Sequence, residues 1–166
     1  MKVTRRFYGW LELSALIIAL DQASKWLILD RFEYGESLFV TSFFKLVLVY
    51  NTGAAFSFLA DHSGWQRWFF ILLAIVVCGW LLKLLREHHR EIALPMAFSL
   101  IIGGAIGNVI DRIVHGAVVD FLYFHIGRHA WPAFNIADSA ITVGVVLMLW
   151  SQFRAPQPKP SSENPS

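Results

Sequence analysis

The stretch from Gly103 to Asp138 reads GGAIGNVIDRIVHGAVVDFLYFHIGRHAWPAFNIAD and joins two apolar segments of the chain. It begins as a glycine-rich apolar run and contains three carboxylates, at Asp111, Asp120 and Asp138. Charged side chains in or beside membrane segments are energetically unfavourable, so they usually serve function. We therefore interpret this stretch as the functional centre of the chain.

The composition is that of a membrane protein, because 56% of the 166 residues are hydrophobic and only 16% are charged. At about 20 residues per span, this length allows one domain with about four spans. The net charge of +2 and the scattered basic residues do not indicate nucleic-acid binding. The single cysteine, Cys78, excludes an intrachain disulfide, and its apolar neighbours indicate a buried hydrophobic side chain.

Four apolar segments predict transmembrane helices at residues 10–29, 65–85, 92–113 and 135–153. The first follows a basic N-terminus, as in a cleaved signal peptide. Its 20 residues can span a bilayer, and it contains Asp21 and Lys25 without a clean cleavage site, so we favour an uncleaved helix. In the third segment, Gly103 and Gly107 form a GxxxG pair that predicts close approach of another helix.

The connection between the first and second predicted helices contains the expected strands. Residues 35–60 are β-rich, and the β-branched and aromatic residues of Leu38–Tyr50 predict two short strands. Residues 1–154 are thus predicted to form a single membrane domain, and the Pro- and Ser-rich residues 155–166 a disordered cytoplasmic tail. The predicted fold is an all-α polytopic membrane protein with four transmembrane helices and a small extracytoplasmic β-rich cradle.

The distribution of basic residues predicts the orientation. They concentrate at both termini and in the turn at residues 83–90, namely at Lys2, Arg5, Arg6, Lys83, Arg86, Arg90, Arg154 and Lys159. The positive-inside rule then places both termini in the cytoplasm. The carboxylates of the central stretch therefore lie near the opposite, extracytoplasmic face.

Helical spacing gathers the polar residues of this stretch onto two helix faces. One face of the third helix presents Gly104, Asn108, Asp111 and Arg112, and one face of the fourth presents Asn135, Asp138 and Thr142. Asp21 and Lys25 form an i,i+4 pair on the first helix.

Structural roles are alternatives for most of these residues. Asp21 and Lys25 could pair only with each other, Asp111 and Arg112 could form an ion pair that closes the third helix, and Asp138 could be the N-cap of the fourth. Asp120 is different, because it lies between apolar residues where a purely structural carboxylate is unfavourable. The histidines are too irregularly spaced to predict a metal site, and we expect none.

Two aspartates in a pocket of low dielectric constant cannot both ionise easily, so they share a proton. The ionised member can then take a proton from water while the protonated one polarises a carbonyl.

Four sequence blocks resemble those of the bacterial lipoprotein signal peptidases (signal peptidase II). They are Asp21-Gln-Ala-Ser-Lys25, Asn51-Thr-Gly-Ala-Ala-Phe56, Gly104-Ala-Ile-Gly-Asn-Val-Ile-Asp-Arg112 running on to Val118-Val-Asp-Phe121, and Phe134-Asn-Ile-Ala-Asp138. They occur in family order over residues 10–153. The resemblance implies an inner-membrane aspartyl endopeptidase that removes the signal peptide from diacylglyceryl-modified prolipoproteins and cleaves just before the lipidated cysteine.

The resemblance also implies the site residues. Asp120 and Asp138 match the catalytic pair, and the supporting or substrate-binding set comprises Asp21, Lys25, Asn51, Gly104, Asn108, Asp111, Arg112, Asn135 and Ala137. It implies no cofactor, a site in contact with membrane lipid, and inhibition by globomycin-type cyclic peptides. We expect a monomer.

Two other classes of function remain open from the residues alone. Intramembrane carboxylates such as Asp21, Asp111 and Asp138 could be relay sites of a proton- or ion-coupled transporter. However, no internal repeat is evident, and the acids lie at one face. A non-catalytic chaperone for lipidated precursors would survive loss of either Asp120 or Asp138, whereas a peptidase would not.

Overall fold

The computed structural model describes residues 5–53 and 64–154 as four helices and four short strands. In chain order they are α1 (Arg5–Arg31), β1 (Ser37–Phe39), β2 (Phe44–Asn51), α2 (Trp65–His88), α3 (Ala93–Val114), β3 (Val118–Ile126), β4 (His129–Ala130) and α4 (Ile136–Arg154). Each predicted helix corresponds to one of these, and α1 begins five residues before the expected start. The tail at residues 155–166 and part of the predicted β-rich segment, residues 54–60, lie outside the described residues.

Helix α3 lies at the centre of the bundle and packs against α1, α2 and α4. Its glycines permit this, because side chains there would collide with the neighbouring helices. A Cβ at Gly103 would lie 2.8 Å from the Cβ of Ile17 on α1, and one at Gly104 would overlap the Ala137 carbonyl on α4. The close approach predicted from the GxxxG pair is confirmed, and Gly104 extends it to a second helix.

The sheet is larger than the sequence predicted. Its order is β1-β2-β3-β4 with antiparallel neighbours, so the expected pair β1 and β2 is present. Strands β3 and β4 come from the connection at residues 115–133, where no strand was predicted. Strand β3 begins buried and becomes exposed toward its end, so it lacks the regular alternation that marks a one-sided strand.

Apolar packing attaches the sheet to the bundle. Ile28 at the end of α1, Leu48 on β2, and Val119 and Phe121 on β3 form a buried cluster. A second cluster, which includes the predicted buried Cys78, joins α2 to α3. The first cluster holds β3 against the ends of the helices and thereby places Asp120 beside them.

Among the described residues, three helices are long and apolar enough to cross a membrane, namely Trp65–His88, Ala93–Val114 and Ile136–Phe153. The result supports a membrane protein with a small sheet. Helix α1 is long but contains two buried charged residues, Asp21 and Lys25. The fourth span therefore stays a prediction.

Candidate active site

The polar residues of α3 and the start of α4 meet the first part of β3 at one end of the bundle. Asp120 on β3 is 2% exposed and Asn135, just before α4, is fully buried. Asn108, Asp111 and Arg112 are buried on one face of α3, as their spacing predicted. Each element thus delivers its polar groups to a common, largely buried region.

Asn135 and Asp138 form a reciprocal cap at the start of α4. The backbone N–H of Asp138 donates to Asn135 Oδ1 at 2.9 Å, and the backbone N–H of Asn135 donates to Asp138 Oδ2 at 3.3 Å. This is the geometry of a capping box. The alternative that Asp138 is the N-cap is therefore wrong: Asn135 has that position, and Asp138 is the third residue of the helix, in its first turn.

Two asparagine amides connect the carboxylates of Asp120 and Asp138. Asn135 Nδ2 donates to Asp120 Oδ1 at 2.7 Å and to Asn108 Oδ1 at 3.2 Å. Asn108 Nδ2 in turn donates to Asp138 Oδ1 at 2.8 Å. The two aspartates, which lie 18 positions apart in sequence, therefore belong to one hydrogen-bonded group.

Asn51 completes the polar environment of Asp120 from the neighbouring strand. The register pairs Asn51 with Val118 and Val49 with Asp120, so Asn51 and Asp120 are diagonal neighbours on one face of the sheet. Asn51 Nδ2 donates to Asp120 Oδ2 at 3.1 Å. Burial, and secondarily the charge of Asp138, raise the pKa of Asp120 to about 7, while hydrogen bonds from Asn51 and Asn135 oppose the increase.

Lys25 pairs with two carboxylates rather than one. Its Nζ lies 2.8 Å from Asp21 Oδ2 and 2.8 Å from Asp111 Oδ2. The alternative that Asp21 and Lys25 pair only with each other is therefore wrong. The alternative that Asp111 and Arg112 form an ion pair that closes α3 is also wrong, because Arg112 donates to the carbonyls of Asn108 and Gly53 instead.

Gly104 and Ala137 lie at a close approach of α3 to α4. Ala137 is fully buried, and its backbone N–H donates to Asp21 Oδ1 at 2.9 Å. A side chain at Gly104 would collide with the Ala137 carbonyl, as noted above. These two residues therefore set the backbone position immediately before Asp138.

A cavity of about 640 Å³ opens beside this group. Its polar lining includes Asn51, Asn108, Arg112 and Asp138, and its remaining wall is mostly apolar. Asp120 does not line it and lies one hydrogen bond behind, at Asn51. The volume is within the range of about 300–1,000 Å³ that is usual for ligand sites.

Three lining or supporting residues were not selected from the sequence. Gln22 donates to Asp111 Oδ1 at 2.9 Å, and Phe70 and Trp131 line the cavity. Gln22 is three residues before Lys25 on α1, and this spacing alone could have placed it on the same helix face as Lys25. Within residues 5–53 and 64–154, no group of three or more His, Cys, Asp or Glu residues is arranged to hold a metal ion.

The fold and the site together define a membrane protein with a small sheet and a buried polar centre beside an apolar cavity. The sequence profile described as Signal peptidase (SPase) II matches residues 13–154. The chain is 65% identical to a lipoprotein signal peptidase of Azoarcus sp. (strain BH72) over 95% of this chain and 90% of that one. It is 55% identical to a lipoprotein signal peptidase of Cupriavidus taiwanensis, over 87% and 82% of the two chains.

A solved bacterial membrane enzyme superposes with a TM-score of 0.84 at 29% identity, over 99% of both chains. A second superposes with a TM-score of 0.82 at 27% identity, over 94% of this chain and 99% of the other. The chain belongs to the signal peptidase II family. It is thus a peptidase that removes signal peptides from prolipoproteins, and a multi-pass protein of the bacterial inner membrane. Family membership favours the peptidase over the transporter and the chaperone.

Proposed function

We propose that the chain is an aspartyl endopeptidase in which Asp120 and Asp138 activate one water molecule. The substrate is a diacylglyceryl-modified prolipoprotein, and the bond cleaved immediately precedes the lipidated cysteine. The observation that carries the proposal is the hydrogen-bonded group that unites these carboxylates, through Asn135 and Asn108, beside the cavity.

The environments of the two carboxylates suggest different protonation states. The pKa of Asp120 is raised to about 7, so this residue holds the shared proton near neutral pH. Asp138 lies in the first turn of α4, where the positive end of the helix dipole stabilises a negative charge. It also accepts hydrogen bonds from Asn108 and Asn135. We therefore assign the base to Asp138 and the acid to Asp120.

The reaction then proceeds by a general acid–base route. Asp138 takes a proton from the water as its oxygen attacks the scissile carbonyl, and Asp120 transfers its proton to the carbonyl oxygen. The resulting gem-diol returns one hydroxyl proton to Asp120 as the C–N bond breaks, and the proton held by Asp138 passes to the leaving amine. The products are the released signal peptide with a new carboxylate and the lipoprotein with a free amino terminus at its lipidated cysteine.

The Asn51 amide lies on the cavity side of Asp120, where its Nδ2 donates to Oδ2. This amide has to move aside when a scissile carbonyl accepts the proton of Asp120. Arg112 supports the same wall, because its guanidinium donates at 3.0 Å to the carbonyl of Gly53, two residues after Asn51. The supporting residues thus position the pair and the strand that faces it.

The apolar wall of the cavity suits a lipidated substrate. Phe70 on α2 and Ile141 and Val143 on α4 form an apolar surface. The acyl chains of the substrate can lie against this surface as they extend into the surrounding membrane lipid. Binding energy from these remote groups positions the scissile bond. We further propose four spans, cytoplasmic termini, a site near the extracytoplasmic face, a monomeric enzyme without a cofactor, and inhibition by globomycin-type peptides that fill this cavity.

The test is cleavage of a diacylglyceryl-modified prolipoprotein by purified protein in detergent. We expect Asp120→Asn and Asp138→Asn to lose cleavage while remaining monodisperse. Asp30→Asn alters an exposed carboxylate near the end of α1 and should retain full activity. Cleavage by either dyad variant at the wild-type rate would show that these carboxylates have only a structural role.

A further inference from the structure

Lys25 is a buried cation near the site whose three ammonium donors all have acceptors. The residue is 2% exposed, and its ammonium contacts three acceptors from two helices. They are Asp21 Oδ2 at 2.8 Å, Asp111 Oδ2 at 2.8 Å and Asn108 Oδ1 at 3.1 Å. An ammonium has three donors, so each has a partner.

Each carboxylate paired with Lys25 uses an oxygen to bind a backbone N–H beside the proposed dyad. Asp21 Oδ1 accepts from the N–H of Ala137, which immediately precedes Asp138. Asp111 Oδ2 accepts from the N–H of Val119, which immediately precedes Asp120. One ammonium therefore joins the two anchors that locate the backbones of both aspartates.

The third contact of Lys25 determines how the Asn108 amide is oriented. Asn108 Oδ1 accepts from Lys25 Nζ and from Asn135 Nδ2, so its oxygen faces two donors. Its Nδ2 must then point the other way, where it donates to Asp138 Oδ1 at 2.8 Å. Rotation of the amide by half a turn would direct its N–H groups at a cation and leave Asp138 facing an oxygen.

We propose that Lys25 is a positioning residue for peptide cleavage: its ammonium holds the two backbone anchors and the Asn108 amide that together set the separation and orientation of Asp120 and Asp138. The proposal rests on the two-aspartate function proposed above. Lys25 does not line the cavity, so it acts on the dyad and makes no contact with substrate.

The test compares three variants in the full-length protein. Lys25→Met removes the ammonium but keeps a long apolar stem. Lys25→Met combined with Asp111→Asn removes one charge of each sign, so the net charge of the cluster is retained. This double variant leaves one unpaired buried carboxylate, at Asp21, whereas Lys25→Met alone leaves two. Lys83→Met makes the same substitution at an exposed position of α2, remote from the site.

We expect both Lys25 variants to lower kcat by about 100-fold, as displacement of reacting groups by about 1 Å does, and Lys83→Met to leave it unchanged. KM should change by less than about twofold, because Lys25 contributes no uniform binding of substrate. The backbone amides of Val119 and Ala137 should exchange with solvent faster in Lys25→Met. The side-chain amide NMR signal of Asn108 should shift in both variants.

Wild-type kcat in the charge-matched double variant would overturn the proposal, since Lys25 would then serve only to neutralise charge. Unchanged Asn108 side-chain signals in a folded Lys25 variant would overturn it equally. Failure of the proposed two-aspartate mechanism would give a different result. Asp120→Asn and Asp138→Asn would then retain cleavage, whatever activity the Lys25 variants have.

Discussion

Replacement of Asp120 by asparagine should change how the stability of the protein depends on pH. Burial beside Asp138 raises the pKa of Asp120 from 3.8 to about 7. Between these values the unfolded chain has lost the proton and the folded chain retains it. The free energy of unfolding of the wild type therefore falls by about 1.4 kcal/mol for each pH unit in this window, and by about 4 kcal/mol in total.

Asparagine carries no titratable proton, so Asp120→Asn should lack this component of the pH dependence. Between about pH 5 and pH 7 the difference is about 3 kcal/mol, which corresponds to about 6–12 °C in Tm for a chain of this size. The assay is thermal unfolding in detergent at matched pH steps and a single scan rate. Groups remote from Asp120 titrate equally in both proteins, so the difference between the two Tm curves reports on Asp120 and on its coupling to Asp138.

Asp30→Asn is the matched control, because it alters an exposed carboxylate and should keep the wild-type pH dependence. Parallel Tm curves for wild type and Asp120→Asn across this range would refute the reasoning. Such a result would mean that Asp120 is ionised in the folded protein at about pH 5, as it is in the unfolded chain.

Two further predictions concern the same site. The cleavage rate should fall above about pH 7 as Asp120 loses its proton. Asn51→Ala should move this alkaline limb to higher pH, because it removes a hydrogen bond that lowers the pKa of Asp120. The dependence of kcat/KM on pH measures both effects, and an unmoved limb would contradict the assignment of the acid to Asp120. Gly104→Ala should lower stability by about 1–3 kcal/mol and reduce kcat, because its Cβ overlaps the Ala137 carbonyl. Gly79→Ala, which meets nothing within 4 Å, should do neither when measured by the same unfolding and cleavage assays.

The helices were predictable because they depend on local sequence. Long apolar runs and helical spacing located α2, α3 and α4 to within a few residues and placed Asn108 on the same face as Asp111. Strand β3 was missed because its partner, β2, lies about 70 residues earlier, and because its pairing contains an irregularity between Leu46 and Val49. A strand defined by a distant partner has little signal of its own.

The members of the site could be selected from the sequence blocks, but their connections could not. Spacing on α1 predicts that Asp21 meets Lys25, one turn away. It cannot show that α3 brings Asp111 to the same ammonium, because that depends on how two helices rotate and slide against each other. The reciprocal hydrogen bonds between Asn135 and Asp138 were hidden for a different reason. The two candidate caps lie three residues apart, and a helix start cannot be located that precisely from the sequence.

The pairing of Asp21 with Lys25 within a single helix has a consequence for biogenesis. In the proposed four-span topology, α1 leaves the ribosome and meets the translocon before Asp111 has been synthesised. A lone charge near the centre of a bilayer costs about 2.5–3.5 kcal/mol on insertion scales, but these two side chains can neutralise each other at once. When α3 arrives, only the alignment that brings Asp111 and Asn108 to the ammonium satisfies its remaining donors. The polar cluster thus also favours one register of α3 against α1 when the helices assemble.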